Sequence, residues 1–186
     1  GINVETPGGQ SLPVSSYPKG VWIEGCYLEN ITGNNINPDT THGTNCWCSP
    51  AIGVFSVRYV TIKNCTIRNS DLALHLNIVD SNVEGITADN LYRSGAWFCT
   101  CGWRPDGKNL TVKAMKITNA GTRGWQYGTS GIFIGNAQNI LIQNVEVANT
   151  VNAGYTFDAC GIDYESDVVD GTVRDSYIHD NDGPAF

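Results

Sequence analysis

Residues 60–70, VTIKNCTIRNS, form a unit that recurs along the chain. Residues 21–31 read VWIEGCYLENI, 110–120 LTVKAMKITNA, 140–150 ILIQNVEVANT and 171–181 GTVRDSYIHDN. A weaker copy, EGITADNLYRS, starts at 84. Self-similarity at a period of about 20–50 residues is the mark of a solenoid, a propeller or an array. Within the unit the apolar positions alternate at Val60 and Ile62, shift by three to Cys65, then alternate again to Ile67. Alternation means a strand with one buried face, and the shift marks a bend between two short strands. No copy carries a helical period. A propeller blade needs about four antiparallel strands per repeat, and leucine-rich spacing is missing. One coil of a parallel β-helix per repeat remains.

These repeats resemble the right-handed parallel β-helix repeat proteins, the pectate-lyase-like superfamily. The resemblance implies an all-β solenoid of about six coils over residues 1–186, one domain, roughly 25 Å long at ~4.8 Å per coil. A third strand precedes each unit, clearest in Gly131-Ile132-Phe133-Ile134, with matches at 51–55 and 160–164 and looser ones at 72–76 and 95–99. Residues 1–19 are rich in Gly, Pro and Ser and read as an irregular lead-in. No polar end cap is visible, so the expectation is a segment of a longer chain, or a protomer capped by its neighbours through open coil ends.

The charge is acidic, with 18 Asp and Glu against 11 Lys and Arg. Non-specific nucleic-acid binding relies on a basic face, and none is visible. No apolar run is long enough to span a membrane as a helix. Seven cysteines, few lysines and abundant Asn, Thr and Gly suggest an extracellular, secreted protein in which disulfides are permitted. Cys46 and Cys48, and Cys99 and Cys101, form two C-x-C pairs in insertions. They suit loop-to-loop disulfides better than zinc, whose signature is usually C-x₂-C or wider. Cys26 and Cys65 share one inward position in successive coils, where a bridge and a reduced stacked pair fit equally. Sequons stand at Asn30, Asn64 and Asn109, although an Asn/Thr-rich repeat generates them by composition. Asn30, Asn69, Asn119 and Asn149 share one position and suggest an amide ladder.

Four insertions, 32–50, 95–108, 121–129 and 151–159, interrupt the repeats, and loops of this length in a compact fold are usually functional. Trp103, Trp125 and Tyr127 sit among Gly, Arg, Gln and Thr and read as sugar contacts. Trp97 and Phe157 have apolar neighbours and read as packing. His75, within LALHL, points outward between inward leucines, and with Arg104 it completes the candidate substrate contacts. His179 reads as a turn residue bonding backbone. If Ile162 and Tyr164 point inward, Asp163 and Glu165 point outward on one strand. Such a pair can hold Ca²⁺ or act as acid and base, and glycoside hydrolysis uses two acids.

The run GIDYE, with TVRDSYIHDN after it, is similar to a pattern in β-helix glycosidases. That likeness implies a catalytic carboxylate at Glu165, with a second acid on the next coil. The polygalacturonase set fits poorly, since Thr41-His42-Gly43 stands alone in a loop. Two functions follow as expectations: a glycoside hydrolase, less readily a lyase, acting on a polysaccharide or oligosaccharide; or a non-catalytic adhesive module of an extracellular fibre.

Overall fold

The computed structural model describes residues 1–6, 13–32, 49–99, 107–123, 128–153, 158–165 and 167–186, with Cys99 by its backbone only. Its strands pair in parallel and wind into a β-helix of six coils. Each coil has three faces. The first face stacks β1 (Ile2–Glu5), segments of β4 (Pro50–Lys63), β5 (Thr66–Glu84) and β6 (Thr87–Cys99), then β9 (Ser130–Gly135) and β12 (Cys160–Tyr164). The second and third faces are the two halves of the sequence repeat. A single-turn 3-10 helix, Val14–Ser16, stands outside this pattern.

The alternation fills the interior in columns. Ile23, Ile62, Val83, Val112, Ile142 and Val173 stack on the second face. Leu28, Ile67, Ala88, Ile117, Val147 and Ile178 stack on the third. In the middle coils these side chains are buried, while Leu28, Val173 and Ile178 in the end coils are only partly covered. Full burial of one such aliphatic is worth about 1.5–3 kcal/mol.

The shift by three is a corner made by one residue in the left-handed region. Gly25, Asn64, Gly85, Ala114, Asn144 and Asp175 all have φ between 48° and 66° there. Asn, Asp and Gly tolerate that region best, which explains the bias of the repeat. Asn30, Asn69, Asn90, Asn119, Asn149 and Asp180 turn the next corner the same way. The amide ladder exists in part: Asn90 Nδ2 donates to Asn69 Oδ1 (2.6 Å), but Asn119 donates to Asp89. A second ladder precedes the repeat. Asn139 donates to Asn109, and Asn109 to Asp80, which also accepts from Arg58.

Two expectations change. The third repeat begins at Ser81, which pairs with Leu110, and not at Glu84. A polar residue at an inward position hid it. Ser81 is locally satisfied: its hydroxyl donates to Val79 O (2.7 Å) and accepts from Val60 N (3.0 Å). And the lead-in is not wholly irregular, because Ile2–Glu5 is the first strand of the first face.

Candidate functional site

The outer surface of the first face gathers the chemistry. Parallel register stacks Asn3, Gly53, His75, Trp97, Phe133 and Asp163 in one outward column. Phe55 and Asn77 stand in the next column, two residues along their strands. Coils repeat at ~4.8 Å, so rings on successive coils must touch. Phe55 and His75 meet edge-on at 4.8 Å between centroids, His75 and Trp97 at 5.4 Å, and Trp97 and Phe133 at 5.8 Å. Edge-to-face and tilted contacts suit ring quadrupoles. His75 does point outward between the buried Leu74 and Leu76, yet its ring neighbours leave it only 5% exposed. Phe55, Trp97 and Phe133 remain half-buried, with part of each available.

The row of rings ends on Asp163. Ile162 is buried and Tyr164 packs against the core, so Asp163 and Glu165 face outward together. Glu165 N donates to Ile134 O (2.9 Å), which holds the strand to that point. Burial raises the Asp163 pKa, and the charges of Glu165 and Asp158 push it the same way. The negative field reaches Cys160, whose thiol is raised by burial first and then by Asp163 and Asp158. Tyr164 is raised by burial, and its hydroxyl is enclosed without a partner. Asn77 Oδ1, on the ring-bearing face, is likewise enclosed and unpartnered.

Among the described residues no group of three or more His, Cys, Asp or Glu could hold a metal ion, so the Ca²⁺ expectation finds no ligand set there. Trp103, Arg104, Trp125, Tyr127, Cys46, Cys48, Cys101 and the Cys99 side chain lie outside the described residues. Residues 100–106 connect Cys99 on the first face to Gly107 on the second, and 124–127 precede the first-face strand Ser130–Gly135.

The bridge between Cys26 and Cys65 is not formed, and both are free thiols. Each Sγ instead turns to the carbonyl two residues back, Glu24 O at 3.6 Å and Lys63 O at 3.2 Å. Burial raises the Cys65 pKa, which withholds the thiolate that disulfide chemistry needs. Asn30 and Asn64 are exposed at corners, while the Asn109 amide is committed to Asp80 (2.7 Å). His179 bonds a carboxylate rather than backbone: Nδ1 lies 2.7 Å from Asp180, and Tyr177 stacks on the ring at 4.0 Å.

A model of the right handed beta helix region matches residues 50–186. The chain belongs to the right-handed β-helix family. Comparison with curated proteins and with solved structures returns no match. On the outer wall of this β-helix the ring row is the feature that gathers the candidate chemistry. Sequence reasoning missed three members of that row. Trp97 reads as packing and also falls in the looser strand match 95–99, while Phe55 and Phe133 fall in strand matches at 51–55 and 131–134 without standing out as outward rings. Their alternation with the inward Val54, Phe98 and Ile134 is the signal that marks them as outward.

Proposed function

We propose that the chain is a carbohydrate-active β-helix that holds a glycan along the outer surface of its first face and cleaves it at Asp163 and Glu165. The observation that carries this reading is the continuous row Phe55–His75–Trp97–Phe133 leading to Asp163. Sugar rings present C–H faces that pack on aromatic faces, and carboxylates accept bonds from sugar hydroxyls. Residues two apart on one strand repeat at ~6.6 Å along the backbone, and paired acids with a water between them are the arrangement inverting glycosidases use. The raised Asp163 carboxyl is suited to keep its proton and give it to the glycosidic oxygen as the C–O bond breaks. Glu165, exposed at the strand end, takes a proton from the attacking water. In this reading the substrate is an extracellular polysaccharide or oligosaccharide, in line with the secreted character of the composition.

The test is hydrolysis of a glycan panel, read as new reducing ends. Asp163→Asn and Glu165→Gln should each lower the rate about 10²–10⁴-fold without lowering the thermal midpoint. Undiminished rates in both variants would place the chemistry elsewhere. Glycan binding without bond cleavage in the parent chain would favour the adhesive reading instead.

A further inference from the structure

Resting on that reading, we propose that the first face selects glycans without carboxylates, and accepts neutral pyranose chains while refusing uronate chains. The argument is the placement of charge around the coil. On the described part of the face the acidic side chains are Glu5, Asp163 and Glu165, with Glu165 exposed beside the partly buried Asp163. Among the described residues no Lys or Arg stands in either outward column. The Lys and Arg among the described residues lie elsewhere on the coil. Lys63, Lys113 and Arg174 face outward in one column of the second face, and Lys116 lies on the third. Arg93 is buried, and Arg123 lies over the Tyr92 ring at 3.5 Å.

A uronan carries one carboxylate per sugar. Laid along the rings, its carboxylates at the Asp163 end would approach Glu165 and a site that already disfavours negative charge, with no Lys or Arg among the described residues of either column to offset it. Partial burial weakens solvent screening there and makes the repulsion larger than on an open surface. The direction of the Asp163 shift shows that this corner already resists negative charge. A neutral sugar meets no such resistance. Its C–H faces stack on Trp97 and Phe133, and its hydroxyls donate to the acids. The selectivity therefore comes from a repulsive element as much as from an attractive one.

The experiment measures binding of the 186-residue chain to xylohexaose, cellohexaose and hexagalacturonate by calorimetry, at ~0.02 M and ~0.5 M salt. The expected result is that at least one neutral hexasaccharide binds and that hexagalacturonate binds about tenfold more weakly or worse at low salt. The gap should narrow at high salt and in the Asp163→Asn/Glu165→Gln double variant. Trp97→Ala and, separately, Phe133→Ala show whether binding uses this face. If hexagalacturonate binds as tightly as the neutral sugars and both ring variants abolish that binding, the site reading stands and the selectivity is overturned. Tight hexagalacturonate binding that Arg104→Ala removes would overturn it in the same way. If neither ring variant changes the binding of any sugar, the site reading itself fails.

Discussion

Asp163 and Asp80 are carboxylates that the fold treats in opposite ways. Burial, followed by the charges of Glu165 and Asp158, raises Asp163. Hydrogen bonds from Asn109, then Arg58, lower Asp80. The signs of their contributions differ accordingly. An unfolded Asp titrates near 3.9. Below that pH Asp163 is protonated in both states and contributes nothing. As pH climbs from there toward its raised folded value, the unfolded chain releases a proton that the folded chain retains, so stability declines. Above the folded value the full cost persists. Asp163→Asn should therefore raise the thermal midpoint at pH 7 by roughly 1–3 °C, a modest gain because the group is only partly buried. The difference should vanish near pH 3. A midpoint gain that is the same at both pH values would show that the charge is not its cause. For Asp80 the stabilisation is present above the unfolded value and fades as pH falls through the folded one. The alternation of Ile162 and Tyr164 made the outward aim of Asp163 legible in the sequence. The burial of Asp163 is not legible there, because Phe133, its neighbour in register, lies on the preceding coil.

At the scale of elements, the corners and the columns decide the fold. Each described coil enters the first face with a small residue: Gly1, Ala51, Ala73, Gly95, Gly131 and Gly161 stand in one column. A Cβ at Gly95 would run into Ile117, one at Gly131 into Val147 Cγ1, and one at Gly161 into Ile178 Cγ2. The third face thus reaches across the interior into the space those glycines leave. Gly131→Ala should lower stability by about 1–3 kcal/mol through overpacking, a midpoint drop of roughly 5 °C. Gly107→Ala is the control, since its Cβ would meet only Ala137 Cβ at 4.0 Å, and its midpoint should stay within ~1 °C. Equal losses at the two sites would show that the collision with Val147 is not their cause, since Gly→Ala at an unhindered position tends to stabilise. The small residues are visible in the sequence as Gly131-Ile132 and Gly161-Ile162, but their reason is not. The residue that forbids a side chain there lies on another face, 16 or 17 positions later. Ser81 shows the same limit in reverse. Hydrophobic pattern alone slides past a polar inward residue that closes its own hydrogen bonds, and so it places the repeat at Glu84 instead of Ser81.

Across the whole molecule, each coil touches only the coils beside it, so stability is close to a sum of coil and neighbour terms. The middle coils carry fully buried side chains such as Leu74, Ile86 and Leu91, and they have neighbours on both sides. The amide of Thr87 bonds back to Cys65 O (3.0 Å) while Lys116 N bonds to Ile86 O (2.7 Å), tying three coils together. In the sixth coil, Tyr177 N bonds to Val145 O (2.8 Å), and Ile178 is only partly covered. Native-state hydrogen exchange of this chain should therefore be graded. Thr87 and Lys116 should exchange most slowly, Tyr177 and Val173 markedly faster, with intermediate protection in the fifth coil. Local openings of this kind range from near zero to the global free energy. A glycan lying along the first face would span the coils of Phe55, His75, Trp97, Phe133 and Asp163, and so would tie the sixth coil to the middle. Saturation with a bound hexasaccharide should slow exchange at Ile162 and Glu165 more than at Thr87. Equal protection of all six coils in the free chain would show a single cooperative unit and end the coil-by-coil account. Slowing confined to the first two coils would put the ligand at the opposite end of the stack from Asp163.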